Sequence, residues 1–163
     1  MTDPDRLDWE PYDRHWIRLR GPWEVAWMTP PLDDAARSEV ASGKIRLPAE
    51  WRDLFGHRVG TARFSRRFQR PTNLDDEERV IVTLCEVRCA ATAKLNGLPL
   101  IPLAIPIGDP ASAPSEEALS FDITGQMLAT NQLELELTVT TTELTTGACG
   151  LWKPVFLEII APD

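Results

Sequence analysis

The chain has 163 residues, 43% of them hydrophobic and 26% charged, and its 25 acidic against 17 basic side chains leave a net charge of −8. A chain of this size withdraws roughly 70% of its unfolded surface from water, enough for one domain over residues 1–163 with its own core. It is too short for such a core plus a catalytic barrel of about 250 residues. The acidic balance argues against nucleic acid and anionic membrane as partners, since both need a positive field at the contact.

The amino terminus, Met1-Thr2-Asp3-Pro4-Asp5-Arg6, has neither the basic start nor the apolar run of a secretory leader. The apolar stretch Leu98 to Ile107 is broken by Pro99, Pro102 and Pro106, well short of the roughly 20 residues that span a bilayer. The expectation is therefore a cytoplasmic protein. Three cysteines, Cys85, Cys89 and Cys149, are an odd number, and in a chain that can build a core they read as reduced, buried thiols.

Residues 1–18 read as an amino-terminal arm, with Trp9 and Trp16 set among charged residues, and residues 19–160 as the domain proper. Seven segments rich in β-branched and aromatic residues predict strands: Trp23 to Trp27, Ala62 to Arg70, Arg79 to Val87, Ala91 to Leu95, Ala118 to Asp122, Gln132 to Thr141 and Pro154 to Ile160. Pro31 to Gly43 predicts a short helix, with Asp33 as N-cap and Gly43 as stop. Gly108 to Glu117, with two Asp/Ala-Pro pairs, predicts a mobile surface loop.

Alternation assigns the faces. In Gln132 to Thr140, Leu133, Leu135, Leu137 and Val139 alternate with polar residues, so one face is core and the other water. Val80, Val82 and Leu84 repeat the pattern against Ile81 and Thr83, as do Val155, Leu157 and Ile159 against Phe156, Glu158 and Ile160. Seven short strands with few helices imply an antiparallel sandwich or barrel.

Local turn chemistry adds detail. Asn96-Gly97 after an alternating run predicts a tight hairpin, because both residues tolerate positive φ. Asp122 before Ile123-Thr124 is placed to accept backbone N–H groups. Gly150 before Leu151-Trp152 suits a special backbone conformation or a close approach. In Phe64-Ser65-Arg66-Arg67-Phe68 the strand period puts Arg66 on the face of the two phenylalanines, so an inward guanidinium there needs an acidic or carbonyl partner. Arg63 and Arg67 fall on the solvated face.

Seven motifs in order carry a resemblance: Leu19 to Val25, Arg46 to Trp51, Gly60 to Phe68, Ala93 to Gly97, Phe121 to Thr124, Asn131 to Leu133 and Gly150 to Val155. Over Leu19 to Ile160 the chain resembles the amino-terminal sugar-binding domain of glycoside hydrolase family two. The resemblance implies an all-β antiparallel β-sandwich, a jelly roll of the galactose-binding-like type, with at most one or two short helices. It also implies a structural pairing role for Arg66. The catalytic glutamates of that family lie in a later barrel domain, so no catalytic residue carries over.

Independent chemistry is sparse. His15 and His57 lack metal-like spacing, Cys85-x-x-x-Cys89 is not a zinc knuckle, and Asp75 to Glu78 lacks the ligand spacing of a calcium loop. No phosphate-binding Gly-rich loop appears, so neither metal nor cofactor is expected. Six tryptophans are the chain's surplus; Trp23, Trp51 and Trp152 sit inside the motifs and read mainly as core. A pyranose stacks on a flat aromatic face beside hydrogen-bonding groups, which nominates Trp9 and Trp51 as platforms, with His57, Arg63 and Asn96 as polar contacts. The expected function is a non-catalytic carbohydrate-binding module for an oligosaccharide or glycoside, held at a loop-built end of the sandwich. The alternative is a structural or interaction domain that binds no sugar and assembles as a homo-oligomer or with a partner glycoside hydrolase.

Overall fold

A computed structural model describes residues 14–72, 74–85, 87–103 and 119–160. Two antiparallel sheets face each other. The smaller holds β1 (Arg14–Arg18), β10 (Val155–Ile160), β5 (Arg79–Leu84) and β8 (Leu119–Asp122), in the order β1-β10-β5-β8. The larger holds β3 (Gly43–Ile45), β2 (Trp23–Thr29), β4 (Gly60–Gln69), β9 (Thr130–Val139), β6 (Ala90–Leu95) and β7 (Leu98–Pro99), in the order β3-β2-β4-β9-β6-β7. This is the all-β sandwich that the alternating runs predict.

Period-two patterning decides what lies between the sheets. On β9, Leu133, Leu135, Leu137 and Val139 are buried, and the register sets Leu135 against Phe64 and Leu137 against Ala62 of β4. Val80, Val82, Leu84, Phe121, Val155 and Leu157 cover them from the smaller sheet. Burying a side chain of this kind stabilises the fold by roughly 1.5–3 kcal/mol.

The smaller sheet departs from the expectation of one wet face. Ile81, Thr83, Ser120, Phe156 and Glu158, on its outer side, are also buried. The physical sign is in the strands themselves: Val-Ile-Val and Val-Phe-Leu run apolar on both sides, the pattern of a sheet covered on both faces.

Among the described residues three short helices are present, where at most two were expected. Helix α1 (Asp34–Arg37) is the predicted one, with the Asp33 carboxylate accepting the Ala36 N–H at 2.7 Å. Gly43 does not stop it; the helix ends at Arg37, and Gly43, at φ 81°, opens β3. Helix α2 (Trp51–Phe55) is too short to show a period, and it is fixed by burial of Trp51 and Phe55 one turn apart. Helix α3 (Thr141–Thr146) has a Thr-rich sequence of low propensity, but Glu143 accepts the Thr140 N–H at 3.1 Å and Leu144 is buried.

The turn chemistry follows the sequence. Asn96 and Gly97 take φ of 53° and 83° between β6 and β7. Gly150 sits at φ 80°, and a Cβ there would lie 3.3 Å from Trp51 Cβ. The short edge strands β1, β3 and β7 carry no run long enough to read from sequence. Trp9, most of the 1–18 arm and the loop Gly108 to Glu117 lie outside the described residues. No described helix is long and apolar enough to cross a membrane.

Candidate functional site

The structure separates the residues nominated for sugar contact. Trp51 is fully buried, packs against Trp27 and Phe55 at ring-centroid distances of 5.9 and 4.6 Å, and donates its indole N–H to the Arg58 carbonyl at 2.9 Å. It therefore offers no face to a ligand. His57 is exposed in the turn between α2 and β4. Arg63 points outward from the middle of β4, directly across from Glu136 of β9.

Asn96 lies at the far end of that sheet from His57. Its Nδ2 donates to Asn131 Oδ1 at 3.0 Å and its Oδ1 accepts the Gln132 N–H at 2.8 Å, so both ends of the amide hold the hairpin to β9. His57 precedes Gly60, which pairs with Val139, whereas Asn96 bonds Gln132, which pairs with Arg67. Seven residues of strand, roughly 23 Å, lie between the two ends. Among the described residues the nominees Trp51, His57, Arg63 and Asn96 share no cleft, and Trp9 lies outside the described residues.

Arg66 takes the inward register predicted for it, across from Leu133 of β9 and between the buried Phe64 and Phe68. The partner that such a guanidinium needs is missing among the described residues. Its Nε and Nη1 are buried and make no hydrogen bond, and burial lowers its pKa. Arginine nevertheless keeps its charge at neutral pH, so a positive charge lies just beneath the larger sheet.

On the outer face of that sheet an open groove of about 430 Å³ is lined by Pro22, Glu24, Lys44, Ser65, Arg66, Arg67 and Gln132. The register builds it from four strands: Glu24 on β2 faces Lys44 on β3 and Ser65 on β4, and Arg67 on β4 faces Gln132 on β9. Each outward residue alternates with an inward core residue such as Trp23, Ile45, Phe64 or Leu133. A second hollow of about 310 Å³, lined by Gly21, Pro22, Lys44, Ile45 and Arg46, shares Pro22 and Lys44 with it.

The groove is locally basic on an acidic chain. Among the described residues two outward cations, Lys44 and Arg67, stand against one carboxylate, Glu24, while Arg66 in the lining turns its side chain to the inner face. Ion pairs form between Arg52 and Glu50, Arg58 and Glu39, and Arg79 and Asp122, and neither Lys44 nor Arg67 joins them. Sequence reading passed over Lys44, Glu24 and Gln132; the available signal was their outward place on alternating strands.

Elsewhere the polar groups are structural. Burial pushes the Asp122 carboxyl up, but hydrogen bonds from the Thr124 hydroxyl, the Thr124 N–H and Arg79 outweigh it and hold the group below its usual range. Burial pushes the Cys89 thiol up to about 12 and also raises that of Cys149. Among the described residues no group of His, Cys, Asp and Glu is arranged to hold a metal ion.

No family model matches the chain, and no curated protein does. Solved structures do. A β-glucuronidase from Faecalibacterium prausnitzii L2-6 is 21% identical, with a TM-score of 0.64 over 92% of this chain and 23% of its own. A β-glucuronidase from Bifidobacterium dentium, in complex with coumarin-3-O-glucuronide, is 16% identical, with a TM-score of 0.65 over 94% of this chain and 31% of its own. A β-glucuronidase from glycoside hydrolase family 2 gives 16% and 0.63, over 94% and 18%. The chain shares its fold with one part of these enzymes. It spans less than a third of the length of each, and at these identities the likeness is one of fold.

Proposed function

We propose that the chain is a non-catalytic, carbohydrate-binding-like module, built on the sandwich that family-two β-glucuronidases contain as one part of a longer protein. The observation that carries this reading is the polar groove on the larger sheet. Its volume is within the roughly 300–1,000 Å³ of small-molecule sites, and its amide, hydroxyl and charged groups suit a ligand rich in hydroxyls. Among the described residues it holds a single carboxylate, Glu24, where glycoside cleavage needs two carboxyl groups flanking the bond. The fold match to under a third of each enzyme supports an accessory role. The test pairs turnover with retention. The purified chain is expected to release no phenol from aryl glucuronides or galactosides and to be retarded on gels containing soluble polysaccharide. Turnover that survives purification, or migration indifferent to every polysaccharide, would contradict the proposal.

One observation favours the second reading, an interaction domain that binds no sugar. Leu98, Ile101 and Leu128 are 57%, 85% and 60% exposed, and Leu128 is tied by Asn131 to the hairpin that carries Leu98. On that reading light scattering shows a concentration-dependent dimer that Ile101→Ser disperses.

A further inference from the structure

We infer that the groove and the hollow beside it form one site for a phosphorylated saccharide, whose phosphate monoester is clasped by Arg46 and Arg67 on either side of Pro22. The inference rests on the carbohydrate-binding reading and adds the class of ligand.

Strand register shows which cations of the outer face are left over. Lys44 stands across from Glu24, Arg63 across from Glu136 and Lys94 across from Glu134, three facing pairs of opposite sign that offset one another. Arg67 faces the neutral Gln132 instead. Carried two residues past Glu24, the β2–β4 register sets Pro22 level with Arg67, and the β2–β3 register sets it level with Arg46 on the other side. The two arginines are exposed, and among the described residues neither joins an ion pair. On a chain of net charge −8 the unmatched positive charge of this face is thus gathered in one row, in a concave wall that concentrates its field on an incoming anion.

The same row brings both guanidinium groups to one point. Pro22 and Lys44 line both hollows, Arg67 the larger and Arg46 the smaller, so the two are continuous over Pro22. Neighbouring strands lie about 4.8 Å apart, which sets the Cα atoms of Arg46 and Arg67 about 10 Å apart, a span that two arginine side chains close from opposite sides. Gly21 makes room for one of them: a Cβ there would lie 3.2 Å from Arg46 Cγ and 3.1 Å from the Ile45 carbonyl oxygen. Arg66, next to Arg67 in the chain, turns to the inner face and takes no part.

Two forks select the anion. A guanidinium engages two oxygens at once, so one arginine saturates a carboxylate. A phosphate monoester presents three terminal oxygens and carries about −1.5 to −2 charge at pH 7, and it accepts both arginines. Ser65 and Gln132, which donate and accept, and Glu24, which accepts, are left for the hydroxyls of the sugar. Among the described residues no aromatic side chain lines either hollow. A neutral pyranose has no face to stack on there, so the phosphate supplies most of the affinity.

Calorimetric titration of the full chain tests this with four probes: glucose 6-phosphate, methyl β-glucoside, methyl β-glucuronide and inorganic phosphate. The sugar phosphate is expected to bind about tenfold or more tightly than the glucoside and several-fold more tightly than the glucuronide, and to weaken several-fold as salt rises from about 50 to about 500 mM. Arg46→Gln and Arg67→Gln, both at exposed positions, are each expected to reduce that preference with the melting temperature unchanged. Lys94→Gln, on the same face but across from Glu134, is expected to leave it intact; an equal loss there would mean a diffuse field and overturn the clasp. Equal binding of the glucoside overturns the inference and leaves the carbohydrate reading standing. Glucuronide that binds as tightly as the sugar phosphate overturns the phosphate assignment, and inorganic phosphate that does so overturns the requirement for a sugar. Absence of binding by every saccharide overturns the inference and the reading beneath it.

Discussion

Asn131 shows how a single buried amide ties one end of the larger sheet together. It is 1% exposed; its Oδ1 accepts from the Leu128 N–H at 2.8 Å and from Asn96 Nδ2 at 3.0 Å, and its Nδ2 donates to the Leu128 carbonyl at 2.9 Å. Asn131→Ala leaves those groups unsatisfied and is expected to cost about 1–3 kcal/mol in urea unfolding. Asp122 gives a pH dependence of known sign. Its folded pKa lies below the unfolded value of about 3.9, so its stabilisation is present above that pH and is lost as pH falls through the lower folded value. Asp122→Asn is therefore expected to flatten the acid limb of a melting-temperature profile below about pH 4. Cys89, with a thiol near 12, and the buried Cys149 are expected to resist a thiol reagent at pH 8 until the chain unfolds, as read by mass spectrometry. Of these residues, Asp122 was legible beforehand, since a carboxylate before Ile-Thr needs only local chemistry. The Asn131 network was not, because it joins a turn to a hairpin 35 positions away.

At the level of elements, the long strands were readable because their side chains alternate over enough residues to fix a face. β4 and β9, ten residues each, are the clearest. Strands β3 and β7, of three and two residues, have no pattern to read and exist because a neighbour supplies their hydrogen bonds. Helices α2 and α3 are likewise made by tertiary packing and capping, not by propensity. Gly150 connects two levels, since its positive φ lets the chain pass against Trp51 of α2 on the way to β10. Gly150→Ala combines left-handed strain with a 3.3 Å contact, and thermal or urea unfolding is expected to show a loss of about 1–2 kcal/mol. Loss of less than a few tenths would mean that the Trp51 contact relaxes freely.

For the whole molecule, patterning fixed the sandwich but not the site. Alternation tells which way Lys44, Glu24, Arg67 and Gln132 point; only the strand order β3-β2-β4-β9 brings them to one groove. Of the two platform nominees, Trp51, whose place inside a motif already reads mainly as core, is core in space, and Trp9 lies outside the described residues. Arg66 was read correctly as inward, while its unbonded Nε and Nη1 are a property of packing that no motif reports. The central claim is that this molecule meets its ligand on the outer face of the larger sheet. It is tested most directly by ¹H–¹⁵N chemical-shift mapping during titration with the methyl glycosides of glucose, galactose and glucuronic acid. The account predicts saturable shifts confined to Glu24, Lys44, Ser65, Arg66, Arg67 and Gln132. Shifts centred on His57 or the Asn96–Gly97 hairpin, or none with any of the glycosides at millimolar concentration, would contradict it.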